Sequence, residues 1–98
     1  MTILPSTILV VDDDEDVLLI ASSYLRDQGY TILEATNGAQ GLSILRDTKD
    51  VDLLFTDIAM PGGMNGFDLA HRAKQFRPDL RVLYTSGFVR DLHMRGRV

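Results

Sequence analysis

Ile8-Leu9-Val10-Val11-Asp12-Asp13 is an apolar, largely β-branched run that ends in two aspartates. A run this continuous fits a strand buried on both faces, the mark of a parallel sheet with helices on either side. Two further runs repeat the pattern, Leu53-Leu54-Phe55-Thr56-Asp57 and Val82-Leu83-Tyr84-Thr85-Ser86-Gly87, and each also ends in oxygen-bearing side chains. Open parallel α/β sheets bind ligands just beyond the carboxyl ends of their strands. With the three strands as parallel neighbours, Asp12, Asp13, Asp57 and a hydroxyl meet at one end of one sheet. Carboxylates gathered without a basic partner repel one another and call for a cation. Hard oxygen ligands suit Mg²⁺ better than zinc, and a carboxylate beside Mg²⁺ can accept a phosphoryl group.

The segments between these runs alternate with them. Thr7 to Asp12 reads as a strand. Asp14 to Gln28 has helical spacing, with a stripe of Val17, Ile20, Ala21, Tyr24 and Leu25, acids at its start to suit the helix dipole, and Gly29 as a left-handed cap. Tyr30 to Thr36 reads as a strand. After Asn37-Gly38, Ala39 to Thr48 carries Ala39, Leu42 and Leu45 at helical spacing, and Val51 to Asp57 is a buried strand. Pro61, Gly62 and Gly63 mark Ile58 to Asn65 as a loop. Gly66 to Phe76 is a helix with Leu69, Ala70, Ala73 and Phe76 inward; Pro78 stops it, and Leu80 to Ser86 is the last strand. Gly87 to Val98 is a basic tail to which no element is assigned. The β-α-β-α-β-α-β order implies an α/β, doubly wound parallel sheet with right-handed crossovers and helices on both faces.

Composition bounds the function. At 98 residues, 45% hydrophobic and 24% charged, residues 1–98 fit one small globular domain. The longest apolar run, Val17 to Ala21, is too short to span a membrane, and Met1 to Ser6, with Pro5 and no positive charge, does not read as a signal peptide. The absence of cysteine excludes disulfides and thiolate metal sites and suits a cytoplasmic protein. A formal net charge of −4 argues against nucleic acid as the main partner.

Taken together, Leu9-Val10-Val11-Asp12-Asp13, Thr56-Asp57-Ile58-Ala59-Met60-Pro61-Gly62, Asn65-Gly66 and Thr85-Ser86-Gly87 resemble the receiver domain of two-component response regulators. Order, spacing and element placement agree from Thr7 to about Phe88. The resemblance implies a flavodoxin-like fold with Asp57 as phosphoacceptor. It implies Asp13 and Asp57 as Mg²⁺ ligands, Asp12 as a direct or water-mediated one, and a further contribution from the Ala59 backbone carbonyl. Ser86 would be the hydroxyl that reports the phosphoryl group. The donor would be a histidine kinase, a phosphotransfer protein or a small acyl phosphate.

Plainer readings stand beside these. Asp12 to Asp16 is five acids in a row, a pattern common on solvated faces and helix starts, and Asp14, Glu15 and Asp16 are read as helix-start residues. Thr85 and Ser86 compete for the hydroxyl role. Strand neighbours point to opposite faces, so only one serves, and Ser86 is favoured. His71 and His93 are read as solvated, and the Leu and Ala stripes as core.

The family continues past the Ser86 strand with a further helix, a fifth strand and a last helix, whereas this sequence reaches Val98. The expectation is therefore about four strands and three helices, without the family's lysine at the end of a fifth strand. Lys49 and Lys74 are the lysines present, and neither is at that place. Arg90, Arg95 or Arg97 is the candidate replacement. An uncovered Leu80–Ser86 edge is a pairing hazard and predicts a homodimer with two-fold symmetry. The leading function is a stand-alone phosphoacceptor, not an enzyme beyond its own phosphorylation and dephosphorylation. The alternative is a degenerate receiver used for dimerisation. A Mg²⁺-dependent phosphohydrolase is disfavoured because no second acid follows Asp57 with Asp-x-Asp spacing, and a nucleotide triphosphatase because no P-loop motif is present.

Overall fold

The structure, a computed structural model, describes residues 6–85. Four strands, β1 (Thr7–Val11), β2 (Thr31–Ala35), β3 (Val51–Thr56) and β4 (Arg81–Tyr84), alternate with α1 (Glu15–Asp27), α2 (Gly38–Asp47) and α3 (Gly66–Phe76). All strand pairs are parallel, in the order β2-β1-β3-β4. This is the doubly wound, flavodoxin-like order. The chain steps from β1 outward to β2, then crosses back over β1 to β3. Right-handed crossovers in opposite directions put helices on opposite faces. The turning point between β1 and β3 is where such sheets bind ligands.

Strand alternation divides the core in two. Ile8, Val10, Ile32 and Phe55 pack with Leu18 and Ala21 of α1. Leu9, Val11, Ala35 and Leu54 pack with Leu45 of α2 and with Leu69, Ala70 and Ala73 of α3. At Gly41 of α2 a Cβ would stand 3.1 Å from Val11 Cγ2 and 3.3 Å from Leu69 Cδ2, so the missing side chain is what seats α2 on the sheet.

Helix ends follow the sequence signals. Asp14 caps α1 by accepting from the Asp16 and Val17 amides, at 2.9 and 3.2 Å. Gly29 follows the helix at φ +101°, the left-handed region open to glycine. Asn65 and Asp68 form a reciprocal capping box on α3. Arg77, just past α3, donates to the carbonyls of Leu45, Thr48, Lys49 and Val51, at 3.4, 3.2, 3.1 and 2.6 Å. It thereby ties the end of α3 to the α2–β3 connection.

Two stripes differ from the sequence reading. In α1 the buried residues are Leu18, Ala21 and Ser22, with Leu25 partly covered, while Ile20 and Tyr24 are 53% and 62% exposed. The true stripe is turned by about one residue. Val17-Leu18-Leu19-Ile20-Ala21 is apolar all round, so periodicity alone does not choose its inner face. In α2, Ala39 is exposed and the buried set is Gly38, Gly41 and Leu45. Here two glycines approach their neighbours where side chains were expected to pack. Phe76 is half out of the core, with the Arg46 guanidinium 5.9 Å from its ring centroid. β4 is one edge of the four-stranded sheet, with Leu83 and Tyr84 exposed and the Tyr84 ring 4.8 Å from that of Phe67.

Candidate functional site

One residue beyond the strands, the ladder continues. The Asp12 amide donates to the Ala35 carbonyl at 3.1 Å, the Asp57 amide to Val11 at 2.9 Å, and the Thr85 amide to Thr56 at 2.9 Å. Asp12, Asp57 and Thr85 thus stand in one row across the carboxyl end of the sheet, fixed by backbone hydrogen bonds. Asp13 follows in the β1–α1 turn. One carboxylate oxygen each from Asp12, Asp13 and Asp57 lies within 4.8 Å of the others. These are the acids singled out from the sequence, and the fold brings them together from positions 45 residues apart.

The acidic run divides by role. Asp12 is buried at 6% exposure, and one of its oxygens accepts from the Asp14 amide at 2.9 Å. Asp13 is exposed, Asp57 half-buried, and Asp14 is committed to the α1 cap. Burial pushes the Asp12 carboxyl from 3.8 up to about 6. The Asp14 amide opposes this, while the Asp57 and Asp13 carboxylates add to it. Among the described residues no lysine or arginine pairs with the three acids; the ion pair present, Arg26–Glu34, joins α1 to β2. Lys49 precedes β3 and Lys74 lies in the last turn of α3, toward the other end of the sheet. Six residues of β3 put about 20 Å between that end and Asp57.

Three charges at this spacing repel by about 4 kcal/mol per close pair at an effective dielectric near 20. A divalent cation relieves that. The donor set is all carboxylate oxygen, with one side open to water through exposed Asp13, which fits the hard, partly hydrated Mg²⁺ ion. Ala59 lies on the exposed β3–α3 loop two residues past Asp57. Ser86, the basic tail with Arg90, Arg95 and Arg97, and His93 lie outside the described residues. Thr85, the competitor of Ser86, is buried at 8% exposure. His71 is on the exposed side of α3.

Two neighbours of Asp57 stand in the sequence motifs without a role of their own there. Thr56 is fully buried, and its hydroxyl donates to the Asp57 carbonyl at 2.9 Å. Gly66 opens α3 directly against the same carbonyl, and its amide donates to the Ile58 carbonyl at 2.8 Å. The signal was the hydroxyl residue next to the acid and the glycine after the α3 cap, and both read equally well as strand and turn punctuation.

Residues 8–96 match the response regulator receiver domain. The chain belongs to that family. The receiver is similar to sensor kinase CckA of Brucella abortus, 31% identical over 92 residues that cover 93% of this chain and 10% of CckA. It is 32% identical over 77 residues to response regulator SaeR of Staphylococcus aureus, covering 79% of this chain and 32% of SaeR. Among solved structures, response regulator TrrA of Thermotoga maritima, in complex with Mg²⁺-BeF, superposes with a TM-score of 0.76 at 29% identity, over 89% of this chain and 76% of TrrA. The chain therefore spans about a third of SaeR and about a tenth of CckA. It is a receiver domain of two-component signalling, a class that binds Mg²⁺ at its acidic pocket and works with histidine kinases or phosphotransfer proteins. Among the described residues no helix is long and apolar enough to cross a membrane.

Proposed function

We propose that this receiver accepts a phosphoryl group on Asp57 in a Mg²⁺-dependent reaction, with a histidine kinase, a phosphotransfer protein or a small acyl phosphate as donor. The observation that carries this is the convergence of Asp12, Asp13 and Asp57 within 4.8 Å with no described cation beside them. Asp12, Asp13, Asp57 and the Ala59 carbonyl would hold the ion. When bound, the ion neutralises phosphoryl oxygens and lowers the barrier to attack by an anion. An Asp57 carboxylate oxygen attacks phosphorus. The new O–P bond forms as the donor's N–P or O–P bond breaks, and the leaving group departs with the electron pair. Attack by the carboxylate form needs no general base. Ser86 supplies the hydroxyl that binds the transferred group. The product adds about −1.5 to −2 charge at Asp57, enough to bias nearby loops between two states.

The residues 1–98 are read as one such domain, cytoplasmic and without nucleic-acid or membrane contacts. Its chemistry is limited to its own phosphorylation and dephosphorylation. The β4 edge favours a second role. Leu83 is 53% and Tyr84 38% exposed on an edge strand, and such edges pair readily. A homodimer through β4 follows, and dimerisation without phosphorylation is the alternative function. Intact-protein mass after incubation with a small acyl phosphate tests the first reading. One added phosphoryl group that requires both Mg²⁺ and Asp57 is expected. No gain from a folded wild-type protein would refute it. Light scattering of wild type and Leu83→Lys at tens of micromolar tests the dimer, and a monomeric wild type would overturn it.

A further inference from the structure

Asp57 does its work through its side chain, yet its backbone is restrained on every side. Its amide donates to Val11 of the central strand. Its carbonyl accepts from the Thr56 hydroxyl at 2.9 Å, and Thr56 has no exposed surface. The other flank of that carbonyl is closed by Gly66. A Cβ at position 66 would collide with the Asp57 oxygen and come within 2.9 Å of Ile58 Cα. The Gly66 amide meanwhile holds the Ile58 carbonyl at 2.8 Å, and the Asn65–Asp68 capping box fixes the start of α3 around it.

A threonine hydroxyl at a strand end has other acceptors available, and hydroxyl residues there more often bond locally without consequence. Here the acceptor is the peptide that leads out of Asp57, so the bond anchors the Asp57 main chain from which the carboxylate projects. A shift of this main chain carries the carboxylate away from Asp12 and Asp13. A displacement of about 1 Å at a reacting group is enough to cost up to about a hundredfold in rate. We infer that Thr56 and Gly66 are positioning residues. They clamp the Asp57 carbonyl between a buried hydroxyl and a helix start without a side chain, and so aim the carboxylate at the site it shares with Asp12 and Asp13. This rests on the reading of Asp57 as the acceptor. It adds that the aim is set from behind, by residues that touch neither ion nor phosphoryl group.

Thr56→Val keeps the shape and removes the hydroxyl, Thr56→Ser restores the hydroxyl, and Gly66→Ala adds the colliding Cβ. Three quantities are to be measured on the full chain: urea midpoint, Mg²⁺ affinity by calorimetry, and the rate of phosphorylation by a small acyl phosphate at saturating Mg²⁺. For Thr56→Val a fall of about tenfold in rate and a several-fold weaker Mg²⁺ affinity are expected, with Thr56→Ser close to wild type on both. Gly66→Ala, if folded, should lose more. Should Gly66→Ala not fold, the threonine pair decides. A Thr56→Val protein with a lowered urea midpoint but wild-type rate and Mg²⁺ affinity would overturn the inference, because a purely structural hydroxyl produces that result. If wild type takes up no phosphoryl group, the acceptor reading fails. Mg²⁺ affinity then decides the positioning role by itself, upheld by a loss in Thr56→Val that Thr56→Ser restores and overturned by no change.

Discussion

Replacing Asp12 by asparagine should make this protein more stable without divalent ions, and by an amount that depends on pH. Asp12 is buried, and its carboxyl is raised from 3.8 to about 6, chiefly by desolvation and then by Asp57 and Asp13 against the opposing Asp14 amide. Between those two values the folded protein holds a proton that the unfolded chain has released. Stability therefore falls as pH rises from about 4 to about 6 and is level above that. At about 1.4 kcal/mol for each tenfold in acidity, ionised Asp12 costs the fold about 3 kcal/mol at pH near 8 and about half of that near pH 5. Asparagine carries no charge at any of these pH values and still offers an oxygen to the Asp14 amide, now 2.9 Å from Asp12. Urea unfolding of wild type and Asp12→Asn in chelator, at several pH values from about 4 to 8, measures the gap. The variant's advantage should open through about pH 4–6 and reach about 2–3 kcal/mol. Saturating Mg²⁺ should shrink or reverse it, because wild type gains a ligand that the variant holds weakly. A gap that is constant across the range would refute the reasoning, since the buried ionised carboxylate would then not be the cost.

Further outcomes follow from the same geometry. Mg²⁺ at a hundred times its dissociation constant should stabilise wild type by about 2.7 kcal/mol, and Asp13→Ala should lose most of this in thermal melts. Arg77→Ala removes donors to four carbonyls and should lower stability by about 2–3 kcal/mol in urea, with lysine recovering part because it lacks the planar fork. Leu54→Ala, at a position with no exposure, should cost about 2–5 kcal/mol by cavity formation. Ser86→Ala should slow phosphorylation more than Thr85→Val does, measured by intact mass over time; the reverse order would assign the hydroxyl role to Thr85.

Much of this was legible in the chain itself, for a physical reason. Strands buried on both faces must be apolar throughout, so β1 and β3 stand out as unbroken runs, and their ends name Asp12 and Asp57 directly. Helix ends need local partners, so Asp14 and Gly29 announce the two ends of α1 from adjacent residues. Only the tertiary structure decided which face of α1 turns inward, because five consecutive apolar residues satisfy any face until a sheet is set against them. It also decided that Gly38 and Gly41, and not Ala39, meet the core of α2, since close approach requires knowing what approaches. The grip on Asp57 belongs to the same class. Thr56 is its sequence neighbour, but that its hydroxyl turns to the Asp57 carbonyl while Gly66 closes the other side depends on where β3 ends and α3 begins. The residues able to do chemistry are written locally, and the geometry that aims them comes from contacts between segments far apart in the chain.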